Sequence, residues 1–138
     1  MIVLDTNVVS ETMRASPDEA VLTWLDEQAA ETLYLTSMTL AEVLFGIEVM
    51  PGGKRKKSLA RAANGLIELY EGRVLFFDTE AARQYAVLAA AVRREGLGLP
   101  KPDGYIAAIA ASRGFAIATR DTGPFDACGL QVVDPWSG

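Results

Sequence analysis

The sequence predicts an α/β fold in which a central parallel sheet of about five short strands is flanked by helices. Short apolar runs without polar alternation, of which Met1–Leu4 is the first, are typical of strands buried on both faces. Segments with helical spacing separate these runs, as expected when helical crossovers join parallel strands. The 138 residues suffice for one core and are too few for two ordinary domains, so we expect a single domain over residues 1–138.

The composition indicates a soluble, cytoplasmic protein. Hydrophobic residues make up 50% of the chain and charged residues 22%, which argues against disorder. No apolar stretch approaches the ~20 residues that a membrane span requires, and no basic segment precedes the first apolar run as in a secretory signal. The single cysteine, Cys128, cannot form an internal disulfide, which agrees with a reducing compartment.

The absence of histidine excludes several kinds of active site. With no His and one Cys, the chain cannot build a Ser-His-Asp triad, a Cys-His pair or a Cys/His zinc site. Carboxylates remain as candidate groups, and their hard oxygens suit Mg²⁺ or Mn²⁺. A net charge of −5 argues against a nucleic-acid partner unless metal ions cancel the charge of several acids.

Strands are predicted at 1–4, 33–35, 74–77, 116–119 and 130–133. Two capping boxes predict helix starts between them: Ser16 with Glu19, and Thr39 with Glu42. The second of these helices should run to about Met50.

Three further segments complete the predicted order. Asp78 is expected to cap a helix that closes at Gly96, and Asp103 to begin a helix that ends at Gly114. Thr122–Pro124 is expected to form a polar turn after the fourth strand.

The helix predicted from Thr39 is apolar on two sides. One stripe has helical spacing and comprises Leu40, Val43, Leu44 and Ile47. Phe45 and Val49 lie on another stripe, which also contains Glu42. Such a helix is enclosed by its own domain or shared with a partner. Glu42 either serves a covered site or merely closes its capping box.

A basic run precedes the next predicted helix. Lys54, Arg55, Lys56 and Lys57 are four of the 13 basic residues. Positive charge at a helix start opposes the helix dipole. The run is therefore either a phosphate contact or a solvated loop.

The predicted order brings four acids to one edge of the sheet. Asp5 and Asp121 follow strands, while Glu42 and Asp103 lie near helix starts. In a parallel α/β sheet these positions share the edge at the carboxyl ends of the strands, provided that the first and fourth strands are neighbours. Four like charges in one cleft repel, so the arrangement indicates a divalent-metal site. The alternative for Asp5 is a simple helix cap.

Four segments resemble the signatures of PIN-domain toxins of the VapC type. They are Leu4–Asn7, Thr39–Glu42, Asp103–Ala108 and Ala118–Asp121. The resemblance spans the whole chain and implies a Mg²⁺- or Mn²⁺-dependent ribonuclease of a type II toxin-antitoxin system. It further implies a homodimer, possibly within a larger assembly, that is inhibited by a VapB- or FitA-like antitoxin and meets DNA only through that antitoxin.

Carried over by position, the catalytic and metal-binding acids are Asp5, Glu42, Asp103 and Asp121. Many VapC proteins have Asn where Asp121 stands, with the acid three positions later, where this chain has Pro124. The form found here is similar to the FitB-like branch, and Asp121 is expected to bind metal directly or through water.

The resemblance also suggests supporting roles for other residues. Thr6, Asn7 and Thr119 are candidate orienting residues for the carboxylates, although ordinary turn and cap hydrogen bonds explain these residues equally well. The basic run is a candidate RNA-binding segment.

Two other functions fit part of the pattern. A phosphatase of the haloacid dehalogenase class would use Asp5 as a nucleophile, but it requires a second Asp where this chain has Asn7. A degenerate domain that binds only its antitoxin would not need to keep all four acids.

Overall fold

The computed structural model describes residues 1–137 and contains a five-stranded sheet in the order β3-β2-β1-β4-β5. The strands are β1 (Ile2–Leu4), β2 (Leu33–Thr36), β3 (Val74–Leu75), β4 (Ala116–Ala118) and β5 (Val132–Val133). All four pairings are parallel. The predicted fold class is confirmed.

Helices cover both faces of the sheet. They are α1 (Thr6–Thr12), α2 (Glu19–Glu27), α3 (Ser37–Glu48), α4 (Lys54–Leu69), α5 (Thr79–Arg94), α6 (Lys101–Arg113) and α7 (Thr122–Ala127), with a 3₁₀ turn at Ala30–Thr32. None of the helices within residues 1–137 has both the length and the apolar character needed to cross a membrane.

The central position of β1 determines where its following residue lies. Ile2 pairs with Leu33 of β2 on one side and with Ala116 of β4 on the other. The Asp5 amide then donates to the Ala118 carbonyl at 2.9 Å. The first and fourth strands are therefore neighbours, as the predicted convergence of the acids requires.

The core consists of two apolar clusters. Val3 and Ile117 belong to one, with Ile106 and Ile109 of α6, while Leu4 and Ala118 belong to the other. Since adjacent strand residues point to opposite faces, the sheet separates the two clusters. Residues Ile106–Ala110 of α6 are almost fully buried. The helix that carries Asp103 is thus held firmly by the core.

Two predicted helix starts were wrong. The cap of α2 is Asp18, whose side chain accepts from the Ala20 amide at 2.8 Å, and not Ser16. The cap of α3 is Thr36, whose hydroxyl accepts from the Thr39 amide at 3.1 Å. In both places two capping residues stand close together, and the position at which the extended backbone ends decides which of them is used.

Other boundaries also differ from prediction. The basic run forms the first turn of α4 and does not precede the helix. Thr122–Pro124 begins α7, which is stabilised because Phe125 is fully buried in the core. The third strand comprises only Val74 and Leu75. Asp78 caps α5, as predicted, by accepting from the Ala81 amide at 2.9 Å.

Candidate active site

The four predicted acids lie at the edge formed by the carboxyl ends of the strands. Asp5 follows β1, and Asp121 follows β4 after two residues. Asp103 lies in the first turn of α6, and Glu42 lies in α3. Asp5 is 4% exposed, Asp103 is half-buried, and Glu42 and Asp121 are exposed. The acids therefore range from buried to exposed around this edge of the sheet, which we call the cleft.

These acids are close enough to repel each other. Burial raises the pKa of Asp103 to about 6, and the negative charges of Asp5, Asp121 and Glu42 add to this effect. Burial also raises the pKa of Asp5, against hydrogen bonds from Thr119 and Thr6 that lower it. Within residues 1–137 the ion pairs are Arg14–Glu11 and Arg83–Glu80, and neither involves the four acids. No protein cation in the described chain neutralises them by direct pairing.

Asp5 is both a helix cap and a link between distant parts of the chain. Its Oδ1 accepts from the Thr6 amide at 2.8 Å, which is a capping contact. Its Oδ2 accepts from the Thr119 hydroxyl at 2.8 Å, across 114 positions of sequence. The capping role accounts for one oxygen only.

Thr119 and Asn7 form the floor of the cleft. The fully buried Thr119 hydroxyl accepts from the Asn7 side-chain amide and from the Asp121 backbone amide, each at 3.1 Å. The Asn7 amide also lies 3.4 Å from Asp5 Oδ2. These are the orienting contacts expected of Thr119 and Asn7, and their role toward a metal stays a prediction.

A chain of hydroxyl groups supports Glu42. The Thr6 hydroxyl donates to Glu42 Oε1 at 2.9 Å. A hydroxyl has only one proton, so in the 3.1 Å contact between the Thr6 and Thr39 hydroxyls the donor is Thr39. Thr36 donates in turn to Thr39 at 3.4 Å. The hydroxyl protons of all three residues thus point along the chain toward the carboxylate.

This contact excludes the capping-box interpretation of Glu42, because its carboxylate binds Thr6 and the cap of α3 is Thr36. Sequence analysis missed Thr36 and Thr39 as part of the site. Both are fully buried, and two hydroxyls directly after a buried strand were the available signal.

Comparison with known proteins agrees with this geometry. Residues 2–129 match the PIN domain. The VapC ribonuclease Y4jK of Sinorhizobium fredii is 51% identical, over 99% of this chain and 98% of its own. The toxin FitB of Neisseria gonorrhoeae is 41% identical, over 99% of both chains. This chain belongs to the PIN-domain family of VapC and FitB toxins.

A solved relative extends the likeness to the whole fold. In the structure of FitAB bound to an IR36 DNA fragment, the matching chain has a TM-score of 0.95 and 40% identity, over 99% of this chain and 96% of that one. The FitB-like branch predicted for this PIN domain is confirmed.

The donor set of the PIN domain fits a hard divalent cation. All four candidate ligands are carboxylates, and burial together with the neighbouring negative charges raises the pKa of two of them, Asp5 and Asp103. Within the described residues, no three acidic or cysteine side chains already form a cation cage. Four like charges repel, so a site without a neutralising ion is expected to be open.

A groove of about 210 Å³ opens beside Glu42. It lies where α1, α3 and α4 meet, and Arg14 and Arg55 line it together with apolar residues of α3. Arg55 is thus the member of the basic run that shares this groove with Glu42.

Lys56 has a structural role that the sequence did not indicate. Its Nζ donates to the carbonyls of Glu48 and Met50 at 2.9 and 3.1 Å. These carbonyls lie at the carboxyl end of α3, where a positive charge is favourable. The basic run is therefore divided between Lys56, which stabilises α3, and its three exposed neighbours.

One face of α3 remains apolar and exposed. Val43 and Ile47 are buried, whereas Phe45 is 69% and Val49 64% exposed. Leu44, which was predicted on the same stripe as Val43 and Ile47, is also exposed. A helix with two apolar sides was predicted, and one of those sides faces outward.

Proposed function

We propose that this protein is the toxin of a type II toxin-antitoxin pair and acts as a ribonuclease that depends on Mg²⁺ or Mn²⁺. The observation that carries this proposal is the group of uncompensated acids at the strand edge, with Asp103 at a pKa of about 6. Burying like charges together costs stability, and a bound cation would offset that cost. The relatives named as a VapC ribonuclease and a toxin support the same chemistry.

Each part of the site has a definite role in this proposal. Asp5, Glu42 and Asp103 would hold the cation, with Asp121 binding it directly or through water. When bound, Mg²⁺ or Mn²⁺ activates water and neutralises charge at the cleaved phosphate. Thr6 and Thr119 each occupy one lone pair of a carboxylate oxygen and so fix its orientation. No histidine base or protein nucleophile is required.

The first experiment measures cleavage of total RNA by purified, antitoxin-free protein in Mn²⁺, in Mg²⁺ and in EDTA. We expect cleavage with either ion and none in EDTA, because the bound ion is proposed to activate the attacking water. Cleavage of equal rate in EDTA would contradict the proposal.

Metal binding separates this function from the inactive alternative. A domain that only binds its antitoxin should show no Mn²⁺-induced rise in melting temperature. The active site should gain about 2.7 kcal/mol at a hundredfold excess of ion over its dissociation constant. The haloacid-dehalogenase-like alternative has lost its support, because the chain is a PIN domain.

The basic run is proposed to contact RNA phosphates through Lys54, Arg55 and Lys57. Replacing these three with Gln should weaken binding of a single-stranded RNA. It should also reduce the salt slope of binding by up to about 2, since each phosphate contact contributes about 0.7. An unchanged slope would make these residues simply solvent-exposed.

Lys56→Gln is the matched control for that experiment. It should leave the salt slope unchanged and lower stability by about 1 kcal/mol, because two hydrogen bonds to the end of α3 are lost. A reduced slope for Lys56→Gln would place Lys56 on the RNA as well.

The proposed partners are a FitA- or VapB-like antitoxin and a second copy of the toxin. The exposed Phe45 and Val49 on α3 offer an apolar surface for one of them. DNA is proposed to bind only through the antitoxin, since a net charge of −5 makes the toxin a poor ligand for duplex DNA. The FitAB complex with DNA supports an assembly of this kind.

A further inference from the structure

Arg120 occupies an unusual position beside an acid of the candidate active site. It follows Thr119 and precedes Asp121 in the chain. Its backbone amide donates to Asn7 Oδ1 at 3.2 Å, and the side-chain amide of Asn7 contacts Thr119. The Arg120 backbone is therefore fixed to the floor of the cleft.

The charge of Arg120 is not used to neutralise these acids. No ion pair joins it to any carboxylate in the part of the chain that the structure describes. It is likewise not among the groups that shift the pKa of Asp5 or Asp103. Its side chain is exposed. An arginine next to an acid of such a group would be expected to form an ion pair with it. Another contact must therefore hold the Arg120 side chain away from the acids.

Trp136 provides that cause. The Arg120 guanidinium carbon lies 5.1 Å from the centre of the Trp136 ring, within the range of a cation–π contact. The ring is itself held in place, because the Trp136 amide donates to Asp134 Oδ1 at 2.9 Å and the side chain packs against the core. The cation–π contact uses none of the guanidinium N–H groups, and these make no hydrogen bond within residues 1–137, so they remain free to donate.

We infer that Arg120, held by Trp136, binds a backbone phosphate of the RNA next to the one that is cleaved. The guanidinium edge forms bidentate hydrogen bonds with phosphate oxygens, and its orientation is set before the substrate arrives. This contact would also reduce the electrostatic repulsion between the protein and RNA. A protein of net charge −5 with a group of acids at its active site repels RNA, and a cation that is adjacent to Asp121 in the chain and held by Trp136 offsets part of that repulsion.

The inference rests on the proposed ribonuclease function and is tested separately from it. Binding of a fluorescein-labelled single-stranded RNA of mixed sequence is measured against salt concentration, in an Asp5→Asn background so that the RNA stays intact. Arg120→Gln should weaken binding about tenfold and reduce the salt slope by about 0.7, the value for one lost phosphate contact.

Two further variants show whether the effect belongs to the guanidinium. Arg113→Gln removes an equally exposed charge from the far end of α6, about 15 Å along the helix from Asp103, and should change neither affinity nor slope. Arg120→Lys keeps the charge without the planar fork, so it should retain the parent slope with weaker binding.

Cleavage kinetics with Asp5 restored supply a second readout. Arg120→Gln should raise KM about tenfold with little change in kcat, as expected when a contact is made equally in the ground and transition states. If Arg120 only supports Trp136, Arg120→Gln will lower the melting temperature and leave the salt slope and KM at the parent values. That result would overturn the inference while leaving the ribonuclease function intact. Absence of RNA cleavage by the parent would overturn both.

Discussion

Asp5→Asn is expected to reduce RNA cleavage at least about a hundredfold while leaving the fold intact. Asp5 is the most buried of the four acids, and both of its oxygens are oriented by hydrogen bonds. Asn is close in size and keeps a carbonyl that can accept from the Thr6 amide. The loss should therefore come from the missing charge, which the cation requires.

The effect on metal-free stability should be small, because two terms oppose each other. The raised pKa of Asp5 means that removing its charge is favourable. However, the Asn amide would face the Thr119 hydroxyl, which already accepts from Asn7 and Asp121. One lost hydrogen bond costs about 1 kcal/mol and so opposes the gain from removing the charge. What should disappear is the stabilisation by Mn²⁺.

Asp78→Asn is the matched control for this prediction. Asp78 also caps a helix after a strand, through a 2.9 Å bond from the Ala81 amide, but it lies at β3 and outside the group of four acids. We expect it to keep full cleavage and a full Mn²⁺ response in the same assays. Equal activity and equal Mn²⁺-induced melting shifts for Asp5→Asn and the parent would remove Asp5 from the site.

Asp103→Asn is expected to stabilise the metal-free protein at pH 7. Its folded pKa is about 6, against an ordinary value of 3.8. No hydrogen bond to its carboxylate is present in the described residues, so the substitution breaks none. The gain should be about 1 kcal/mol after allowance for partial solvent exposure, or roughly 3 °C in melting temperature.

This gain should depend on pH in a definite direction. A raised folded pKa means that the folded protein binds more protons than the unfolded chain between pH 4 and 6. Below about pH 4 Asp103 is neutral in the parent, and burying it does not lower the free energy of unfolding. As the pH rises through 6 Asp103 becomes charged, and the free energy of unfolding of the parent falls. The melting temperatures of variant and parent should coincide near pH 4 and separate by pH 7.

Melting curves in EDTA from pH 4 to 8 test this expectation. Asp26→Asn, at an exposed position on α2, is the control and should track the parent throughout. In Mn²⁺ the parent should be stabilised more at pH 7 than at pH 5, since protons compete with the ion for Asp103. A constant difference between Asp103→Asn and the parent across the range would contradict the assignment.

The sheet and the positions of the acids could be predicted because they depend on local patterns. Apolar runs marked the strands, and parallel connection placed Asp5 and Asp121 at the same edge. The choice between Thr36 and Thr39 as a cap could not be predicted, because it depends on where β2 ends against its neighbours. The helix at Thr122 was missed because Gly123 and Pro124 favour a turn, whereas burial of Phe125 favours the helix.

Contacts between distant side chains were also beyond the sequence pattern. The pairing of β4 with β5 brings Arg120 to Trp136, and no periodicity indicates that approach. Lys56 was seen only as one charge in a run, although it reaches back to the end of α3. Spacing identified the candidate acids, while tertiary packing determined which neighbours hold them.

The central position of β1 affects how early during translation the proposed active site can form. The ribosome makes Asp5 almost at once, but the Thr119 hydroxyl that orients it is encoded 114 positions later. A nascent chain that ends before β4 has an unpaired edge on β1 and lacks both Thr119 and Asp121. The proposed active site can therefore be complete only after nearly the whole domain has left the ribosome.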